Sequence, residues 1–308
     1  MRLTETARGV FVIAVTPFTE DGGLDLASTD RLVEFYLERG ATGLTILGIM
    51  GEAPKLGAEE SRVFVRRVLA RVAGRVPVVV GVSSPGFATM AELTADAMDA
   101  GAAGVMVAPP AALRTDDELV TYFGQVVGAL GAEVPWVLQD FPQATGVRIS
   151  LAVLRRVFAQ LPSCVMLKHE DWPGLAKISA VRADEAAGQR RVSILCGNGG
   201  LFLPEEMDRG ADGAMTGFAF PEMMAAVVAA HEAGDRARGQ DVFDAYLPLC
   251  RYEQQAGIGL AVRKFVLARR GAIASAKLRA PGPALSARDV GEVTFLLDRQ
   301  TRRLESLG

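Results

Sequence analysis

The sequence predicts an α/β fold, a closed (β/α)8 TIM barrel with a C-terminal helical extension. First, a short aliphatic run followed by a helix-patterned segment recurs about eight times in roughly 220 residues, near the usual size of such barrels. Second, the runs are apolar throughout, as in parallel strands covered on both faces. Third, only helical patterns follow Pro221. A doubly wound open sheet is the alternative, but six or fewer strands would be expected there.

The predicted strands are continuous aliphatic runs that end at polar or glycine-rich turns. Their length and β-branched content favour strands over helix segments. They are Val10–Val15, Gly43–Leu47, Val76–Val80, Gly104–Val107, Val134–Leu138, Val165–Lys168, Val192–Cys196 and Gly213–Met215.

Helix patterns lie between the strands. Thr115 and Ser150 provide hydroxyl caps at two helix starts, and Gly40, Gly74 and Gly101 follow helix ends. The predicted helices include Ser28–Arg39, Ala58–Val72, Met90–Ala100, Asp116–Leu130, Leu151–Gln160 and Leu175–Ala187.

The domain division predicted from these patterns places the barrel in residues 1–235 and the extension in residues 236–308. Three further helices are predicted in the extension, at Arg238–Gln254, Gly259–Arg269 and Ala287–Glu305, and the last follows a proline-rich connection at 279–283. We expect the extension to pack on the barrel.

Composition excludes several classes of function. The 308 residues are half hydrophobic and carry a net charge of -3, with no basic block that would suit nucleic acid. No apolar stretch is long enough to span a membrane, and the first residues do not resemble a signal peptide. Cys164, Cys196 and Cys250 form no CxxC pair, which favours a reducing cytoplasm. No metal-ligand spacing and no cofactor motif are present.

Lys168 is the most informative residue. It ends the apolar run 164–167 and is one of only five lysines. A lysine amine in an apolar pocket is poorly hydrated, which penalises its charged form, and the neutral amine can attack a carbonyl to form a Schiff base. The alternative is a lysine that packs its stem on the core and keeps its amine in water.

The residues that follow each strand define the candidate site, because active sites of such barrels lie at the C-terminal ends of the strands. The turn at 48–51 can offer backbone amides to an anion, or can simply be a tight turn that needs glycine. The segment 197–200 lacks the spacing of a dinucleotide loop. The strand ends are Thr16-Pro17-Phe18, Gly48-Ile49-Met50-Gly51-Glu52, Gln139-Asp140-Phe141-Pro142, Lys168-His169-Glu170-Asp171, Cys196-Gly197-Asn198-Gly199-Gly200 and Thr216-Gly217.

The order of these motifs resembles the dihydrodipicolinate synthase / N-acetylneuraminate lyase family over nearly the whole chain. Members are (β/α)8 barrels that form a Schiff base with pyruvate or a related 2-keto acid. The matching motifs are Val15-Thr16-Pro17-Phe18, Gly48-Ile49-Met50-Gly51-Glu52 for the family's Gly-Thr-Thr-Gly-Glu, Leu138–Pro142 with Thr145-Gly146 for its Tyr-Asn-x-Pro-x-x-Thr-Gly, Leu167-Lys168, Gly197 and Gly210-Ala211-Asp212-Gly213.

The resemblance implies the site residues and partners. Lys168 would be the Schiff-base residue, the substrate would be a small 2-keto acid, and the chain would form a homo-oligomer, a dimer or tetramer. No cofactor, metal, nucleic acid or membrane is implied. The substrate-binding residues would be Thr16, Gly48, Ile49, Met50, Gly51, Gln139, Gly197 and Met215.

The chain departs from the family at four places. Ile49 and Met50 replace the loop threonines, and Gln139 replaces the proton-relay tyrosine. Pro109-Pro110-Ala111 stands at the second tyrosine, and Ala144 at the entrance arginine. An amide cannot transfer a proton at ordinary pH. Authentic dihydrodipicolinate synthase activity is therefore not expected, and sialic acid cleavage is no better supported.

Glu170 is the candidate replacement for the tyrosine. Strand alternation puts residues 164, 166, 168 and 170 on one side, so Glu170 would follow Lys168 at the pocket rim, while His169 would face the helices. Asp140 and Asp171 are further candidates. For each carboxylate the alternative is a solvated loop position. Glu52 is expected to brace its loop through backbone hydrogen bonds, and Cys164 and Met166 to fill the barrel.

Three functions remain open from the sequence. The first is a Schiff-base lyase, acting as an aldolase, dehydratase or hydratase-aldolase on a 2-keto acid. The second is a barrel that has lost catalysis and binds a ligand or regulates. The third is an oxidoreductase or phosphate-binding barrel using Gly197–Gly200, for which no adenine or ribose site is evident.

Overall fold

Eight parallel strands close into a barrel in the chain order β1 to β8. The computed structural model describes residues 1–172 and 174–307. The predicted barrel is confirmed, and the open doubly wound sheet is wrong, because β1 pairs with both β2 and β8. The strands are β1 Gly9–Ile13, β2 Gly43–Ile46, β3 Val78–Gly81, β4 Gly104–Val107, β5 Trp136–Asp140, β6 Cys164–His169, β7 Ser193–Cys196 and β8 Gly213–Thr216.

Helices alternate with the strands and then continue into the C-terminal region. Asp116–Leu130 begins at the predicted Thr115 cap, which forms a capping box because Thr115 and Glu118 accept hydrogen bonds from each other's backbone amides. The helices are α1 Leu26–Glu38, α2 Ala58–Val72, α3 Phe87–Asp99, α4 Asp116–Leu130, α5 Pro142–Thr145, α6 Leu151–Gln160, α7 Leu175–Ala186, α8 Leu203–Asp208, α9 Pro221–Glu232, α10 Arg236–Glu253, α11 Gly259–Arg269 and α12 Ala287–Glu305.

The core has two apolar layers. The larger layer lies between the strands and the surrounding helices. The smaller one fills the barrel interior with Leu3, Phe11, Ile13, Val79, Ala103, Met106, Val137, Val165, Met166, Leu195 and Met215. The interior is therefore a packed core rather than a channel, and polar side chains are left to gather at the strand ends.

A register shift in β6 corrects one prediction. Trp136 of β5 pairs with Cys164, but the next residue, Val137, pairs with Met166, so one residue of β6 is bulged out of register. Met166 fills the barrel interior as expected. Cys164 does not: it lies in the outer layer against the helices. The alternation is regular again from Met166 to Lys168.

The C-terminal helices contact the barrel through α9, through Lys264 of α11, which pairs with Glu52, and through one connecting segment. α10 contacts α9 and α12. The segment before α12 is held by Arg279, whose guanidinium donates to the carbonyl oxygens of Gly22 and Lys55 and to the Glu60 carboxylate. The predicted connection at 279–283 thus begins at a residue that is tied to barrel loops.

No helix within the described ranges is both long and apolar enough to cross a membrane. Cys164, Cys196 and Cys250 are free and buried. Burial raises the pKa of the Cys164 thiol to about 12, so this thiol is protonated at neutral pH.

Candidate active site

Lys168 lies near the C-terminal end of β6. It pairs in register with one residue on each adjacent strand, Gln139 of β5 and Leu195 of β7. The residue is only 4% exposed. The alternative in which the amine reaches water is therefore wrong. Every residue of β6 is buried, and the amine needs a polar partner because a buried charge is costly when unpaired.

Glu170 is that partner. Its Oε2 atom lies 2.9 Å from Lys168 Nζ, and the residue is 5% exposed, so the solvated-loop alternative is wrong. The Glu170 amide donates to Asp140 O at 2.9 Å, which extends the β5–β6 pairing one step beyond His169. Alternation past the strand end thus brings the two side chains together as the sequence predicted.

Gln139 completes this contact from β5. Its Nε2 atom donates to Glu170 Oε2 at 2.7 Å, and Gln139 is 3% exposed. One carboxylate oxygen therefore accepts from both the amide and the amine. Because an amide does not transfer protons at ordinary pH, Gln139 can hold the Glu170 carboxylate in place but cannot itself act as an acid or base.

Gly197 leaves the space that Glu170 occupies. A Cβ atom at this position would lie 2.0 Å from Glu170 Cγ and 2.4 Å from its Oε1. The next residue, Asn198, donates from Nδ2 to Glu170 O at 3.1 Å. Asn198 was not predicted as a site residue. Its φ is +49°, a backbone conformation that asparagine tolerates better than most residues. The asparagine at this position was the only signal in the sequence.

The turn after β2 is held by Thr16, which follows β1. Ile49–Gly51 form one turn of 3-10 helix, in which the Gly51 amide donates to Gly48 O at 3.0 Å. Thr16, fully buried, donates from Oγ1 to Gly51 O at 2.6 Å. The Gly51 amide is thus used within the turn, and the amides of Ile49 and Met50 donate to no described backbone acceptor.

The side chains of this turn are apolar and face different ways. Ile49 is 47% exposed. Met50 is half-buried and packs on the barrel interior layer. A Cβ atom at Gly48 would lie in ordinary van der Waals contact with Met106 and Ile13. The turn therefore contributes hydrophobic surface at the end of the barrel, where the resembling family has the hydroxyl groups of two threonines.

Glu52 anchors the end of the same turn. It has a φ of +56° and is 2% exposed. Its carboxylate contacts Lys264 Nζ at 2.6 Å and Lys55 Nζ at 2.8 Å, and it accepts from the Arg279 amide at 3.1 Å. The expected bracing through backbone hydrogen bonds is confirmed, because the Glu52 amide also donates to Ile49 O at 3.1 Å, and the two lysines add ionic contacts to it.

Met215 lies deeper than the polar residues. It is fully buried and packs in the barrel interior layer, opposite Phe11 in the β1–β8 register. The structure thus gathers Lys168, Glu170, Gln139 and Gly197 into one contact group. Thr16 joins the Gly48–Gly51 turn instead, and the binding role of Met215 stays a prediction.

Asp140, Asp171 and His169 point away from Lys168. Lys177 of α7 lies between the first two: its Nζ atom is 2.7 Å from Asp140 Oδ2 and 2.7 Å from Asp171 Oδ2. Burial raises the pKa of Asp140 to about 6, although Lys177 opposes this shift. His169 Nε2 lies 3.0 Å from Gly174 O, and burial lowers the His169 pKa to about 4. His169 is therefore neutral at pH 7 and structural.

Another buried carboxyl group lies on a helix outside the barrel. Glu206 of α8 is 7% exposed, and its Oε2 atom has no hydrogen-bond partner among the described residues. Burial raises the Glu206 pKa to about 8, partly offset by the Cys196 thiol. This carboxyl group is therefore mostly protonated at pH 7. No feature of the sequence indicated a buried carboxyl group here.

The contact group has the parts that imine chemistry needs. A buried amine can attack a carbonyl carbon once it is neutral, and a carboxylate at 2.9 Å can take and return its proton. Within the described ranges, no group of three or more histidine, cysteine or acidic side chains could hold a metal ion.

The comparisons with known sequences all indicate the same family. The Dihydrodipicolinate synthetase family model matches residues 6–299. L-2-keto-3-deoxyarabonate dehydratase from Azospirillum brasilense is 32% identical over 286 residues, which is 92% of this chain and 91% of that protein. 4-Hydroxy-tetrahydrodipicolinate synthase from Sorangium cellulosum is 34% identical over 247 residues, or 78% of this chain and 79% of that protein.

Solved structures agree with the fold. The crystal structure of dihydrodipicolinate synthase from Rhodopseudomonas palustris has a TM-score of 0.95 and 53% identity, covering 97% of this chain and 99% of that chain. A prophage protein of the dihydrodipicolinic acid synthase family from E. coli K12, solved in complex with pyruvate, has a TM-score of 0.85 and 26% identity, covering 95% and 98%.

Proposed function

The chain belongs to the dihydrodipicolinate synthetase family, and on this premise we propose that it dehydrates a 2-keto acid through a Schiff base on Lys168. The resemblance of its motifs to this family is confirmed, and it is a class I lyase of the family. The finer proposal concerns the reaction: Lys168 is the nucleophile and Glu170 is the general acid and base.

The contact between Lys168 and Glu170 carries this proposal. Authentic members of the family use a tyrosine phenol at the position of Gln139, according to the motif resemblance. Here Gln139 instead holds the Glu170 carboxylate at 2.7 Å, and that carboxylate lies 2.9 Å from the amine. A carboxylate has therefore taken the position from which a proton can be moved.

Imine formation moves two protons from nitrogen to oxygen. Glu170 takes a proton from the Lys168 ammonium, the neutral amine attacks C2 of the keto acid, and Glu170 gives this proton to the alkoxide. Glu170 then takes a second proton from the attached nitrogen, which leaves a neutral carbinolamine, and delivers it to the hydroxyl group on C2. Water leaves, and the nitrogen lone pair forms the iminium bond. The substrate carboxylate would face the turn 48–51, where the amides of Ile49 and Met50 donate to no backbone acceptor among the described residues.

Elimination follows from the electron withdrawal of the iminium. Glu170 removes a proton from C3, and the C–H electron pair forms an enamine. The enamine expels the hydroxyl group on C4, which leaves as water with the proton from Glu170. Hydrolysis of the conjugated imine releases an unsaturated 2-keto acid and restores Lys168. The sum is loss of one water, with no oxidant or reductant.

Two features support dehydration over the synthase reaction. The A. brasilense dehydratase aligns with 92% of the chain. In addition, the site has Ala144 where the resemblance expects an entrance arginine, and Pro109-Pro110-Ala111 where it expects the second tyrosine. We propose a five-carbon 2-keto-3-deoxy sugar acid as substrate, because it carries one carboxylate and an otherwise uncharged chain.

Borohydride trapping tests the Schiff base. Intact protein is reduced with borohydride in the presence of pyruvate or of a 2-keto-3-deoxypentonate, and peptides are sequenced by mass spectrometry. We expect a reduced adduct on Lys168 in the wild type and in Lys277→Ala, since Lys277 is exposed, and none in Lys168→Ala. An adduct on another lysine, or none with any keto acid, overturns the proposal.

Turnover tests the reaction itself. Each epimer of 2-keto-3-deoxypentonate is incubated with enzyme, alongside pyruvate with aspartate semialdehyde, and the mixtures are followed by proton NMR. Loss of the C4 carbinol signal without release of an aldehyde fragment supports dehydration. Release of pyruvate would show an aldolase, and condensation of the second mixture would show the synthase.

A ligand-binding protein without turnover is the second candidate. The observation that favours it is the ion pair, because an amine held as the ammonium partner of Glu170 is not nucleophilic. In that case keto acids would raise the melting temperature equally in the wild type and in Lys168→Met, and no adduct would be trapped.

The oligomeric state and the location of the protein are proposed on separate grounds. Family membership leads us to propose a homodimer or homotetramer, which sedimentation velocity would measure. The three buried free thiols support a reducing compartment, the cytoplasm.

A further inference from the structure

Lys177 joins the ends of two neighbouring strands from outside the barrel. Its Nζ atom lies 2.7 Å from each of three acceptors: Asp140 Oδ2, Asp171 Oδ2 and Ile149 O. Asp140 is fully buried, and the Lys177 side chain is 13% exposed. All three hydrogens of the ammonium group therefore have an acceptor within reach.

The position of Lys177 is unfavourable for a cation by itself. It is the third residue of α7, which begins at Leu175 without a side-chain cap. The N-terminal turn of a helix carries positive partial charge and disfavours lysine. Burial adds a desolvation cost. The two carboxylates offset both effects, so the placement of Lys177 depends on Asp140 and Asp171.

Asp140 and Asp171 each come directly after a residue of the Lys168 contact group in the sequence. Asp140 follows Gln139, and Asp171 follows Glu170. Strand pairing between β5 and β6 ends at Asp140 and His169, and beyond it the Glu170 amide donates to Asp140 O. Past this point the Lys177 contacts connect the two chain segments on the outer side, while Gln139 and Glu170 meet on the inner side.

We propose that Lys177 is a positioning residue that keeps Glu170 within hydrogen-bond distance of Gln139 and Lys168 by clamping Asp140 to Asp171. This inference rests on the proposed role of Glu170 in proton transfer. Lys177 does not touch the reacting atoms. It sets the spacing of the two strand ends, and a displacement near 1 Å there is enough to lower turnover by about 100-fold.

The first test is structural and needs no substrate. Crystal structures of the wild type and of Lys177→Met are compared at the Glu170 side chain. We expect the methionine variant to lose the 2.7 Å contact between Gln139 Nε2 and Glu170 Oε2. If that contact and the contact to Lys168 are both kept in the variant, the proposal is overturned, whatever the enzyme's substrate proves to be.

The second test separates positioning from stability. Lys177→Met leaves the buried Asp140 carboxylate without its cation and leaves the half-buried Asp171 with only a contact to Arg148 at 3.7 Å, which lowers the melting temperature. Lys177→Met/Asp140→Asn removes the buried charge. We expect kcat to fall about 100-fold with KM changed less than threefold in both variants, while the melting temperature recovers in the double variant. Recovery of kcat together with stability would mean a structural role only and would overturn the proposal.

Controls keep the outcome distinct from that of the proposed function. Arg155→Met removes a surface cation that pairs with Asp184 between α6 and α7, and it is expected to leave kcat unchanged. Borohydride trapping of pyruvate on Lys168 is expected to persist in every Lys177 variant. Absence of trapping in the wild type would count against the Schiff base and not against the clamp, which the crystal structures decide.

Discussion

Lys168 Nζ and Glu170 Oε2 lie 2.9 Å apart although both residues are almost fully buried. They are two residues apart at the end of β6, so the period of the strand puts both side chains on the inner face. Each charge is costly in this position without the other. The pair therefore keeps an amine in a water-poor site, and in the proposed mechanism its carboxylate is the base that makes this amine nucleophilic.

Glu170→Gln removes proton transfer and keeps the shape of the side chain. We expect kcat for the keto acid to fall about 10²–10⁴-fold, the usual contribution of a general acid or base. An adduct with pyruvate should still be trapped on Lys168, more slowly, because the amine remains. The measurements are kcat from proton NMR and the rate of adduct formation from intact mass.

Glu232→Gln is the control for this substitution, since Glu232 is exposed on α9. It should leave both rates unchanged. If Glu170→Gln keeps kcat within about fivefold of the wild type, well short of a lost acid-base group, then Glu170 is a structural partner of Lys168 and another group moves the proton.

Gly197→Ala is expected to displace Glu170. The added methyl group would lie 2.0 Å from Glu170 Cγ, closer than carbon atoms can approach, and the neighbouring His169 O contact of the Gly197 amide at 2.8 Å limits retreat of the backbone. We expect a loss of kcat close to that of Glu170→Gln. A crystal structure would show the carboxylate turned away from Lys168.

Gly128→Ala is the matched control for a glycine substitution. Gly128 is exposed inside α4, and nothing lies within 4 Å of the position of its Cβ atom. It should leave kcat unchanged and raise the free energy of unfolding by about 0.5–1 kcal/mol. An active Gly197→Ala variant would show that Glu170 can be accommodated elsewhere.

The fold was predictable because its signals are local. Apolar runs gave all eight strands, and caps and glycines placed several helix ends within a residue or two. The contact between Lys168 and Glu170 was also within reach, since it needs only strand alternation. Alternation failed at Cys164, because a bulge depends on how β5 and β6 pair and leaves no mark on either segment.

The partners of the buried charges were not predictable. Lys177 lies 37 residues from Asp140 along the chain, and Lys264 lies 212 residues from Glu52. Nothing in the local pattern of either lysine indicates which carboxylate it will meet, because the closure of the barrel and the path of the C-terminal region decide the contact. For the same reason Glu206 looked like any acidic residue in a helix.

Lys264→Met tests the buried pair that anchors the turn 49–51. Lys264 is fully buried against Glu52 at 2.6 Å, so removing the cation leaves a buried carboxylate with Lys55 as its remaining ionic partner. We expect the free energy of unfolding to fall by about 3 kcal/mol, at the lower end for a broken buried pair. Urea denaturation measures it.

A double-mutant cycle gives the coupling between these two residues. Lys264→Met/Glu52→Gln removes both charges and should recover part of the loss, with an interaction energy of at least about 0.5 kcal/mol. Additive effects of the two single substitutions would contradict the direct pairing. Arg155→Met, at an exposed pair, should change stability little.

Glu206→Gln should make stability less dependent on pH. The pKa of Glu206 is raised from its usual 4.5 to about 8 by burial, so the folded state binds one more proton than the unfolded state between these values. The free energy of unfolding contributed by this group therefore falls as pH rises through the window, by up to about 1.4 kcal/mol per pH unit.

Glutamine has no such proton to lose. Urea denaturation at pH 5, 7 and 9 should show the variant gaining on the wild type as pH rises, while Glu232→Gln, on an exposed residue of α9, follows the wild type. A constant difference between Glu206→Gln and the wild type across this range would mean that the carboxyl group is ionised and solvated in the native protein.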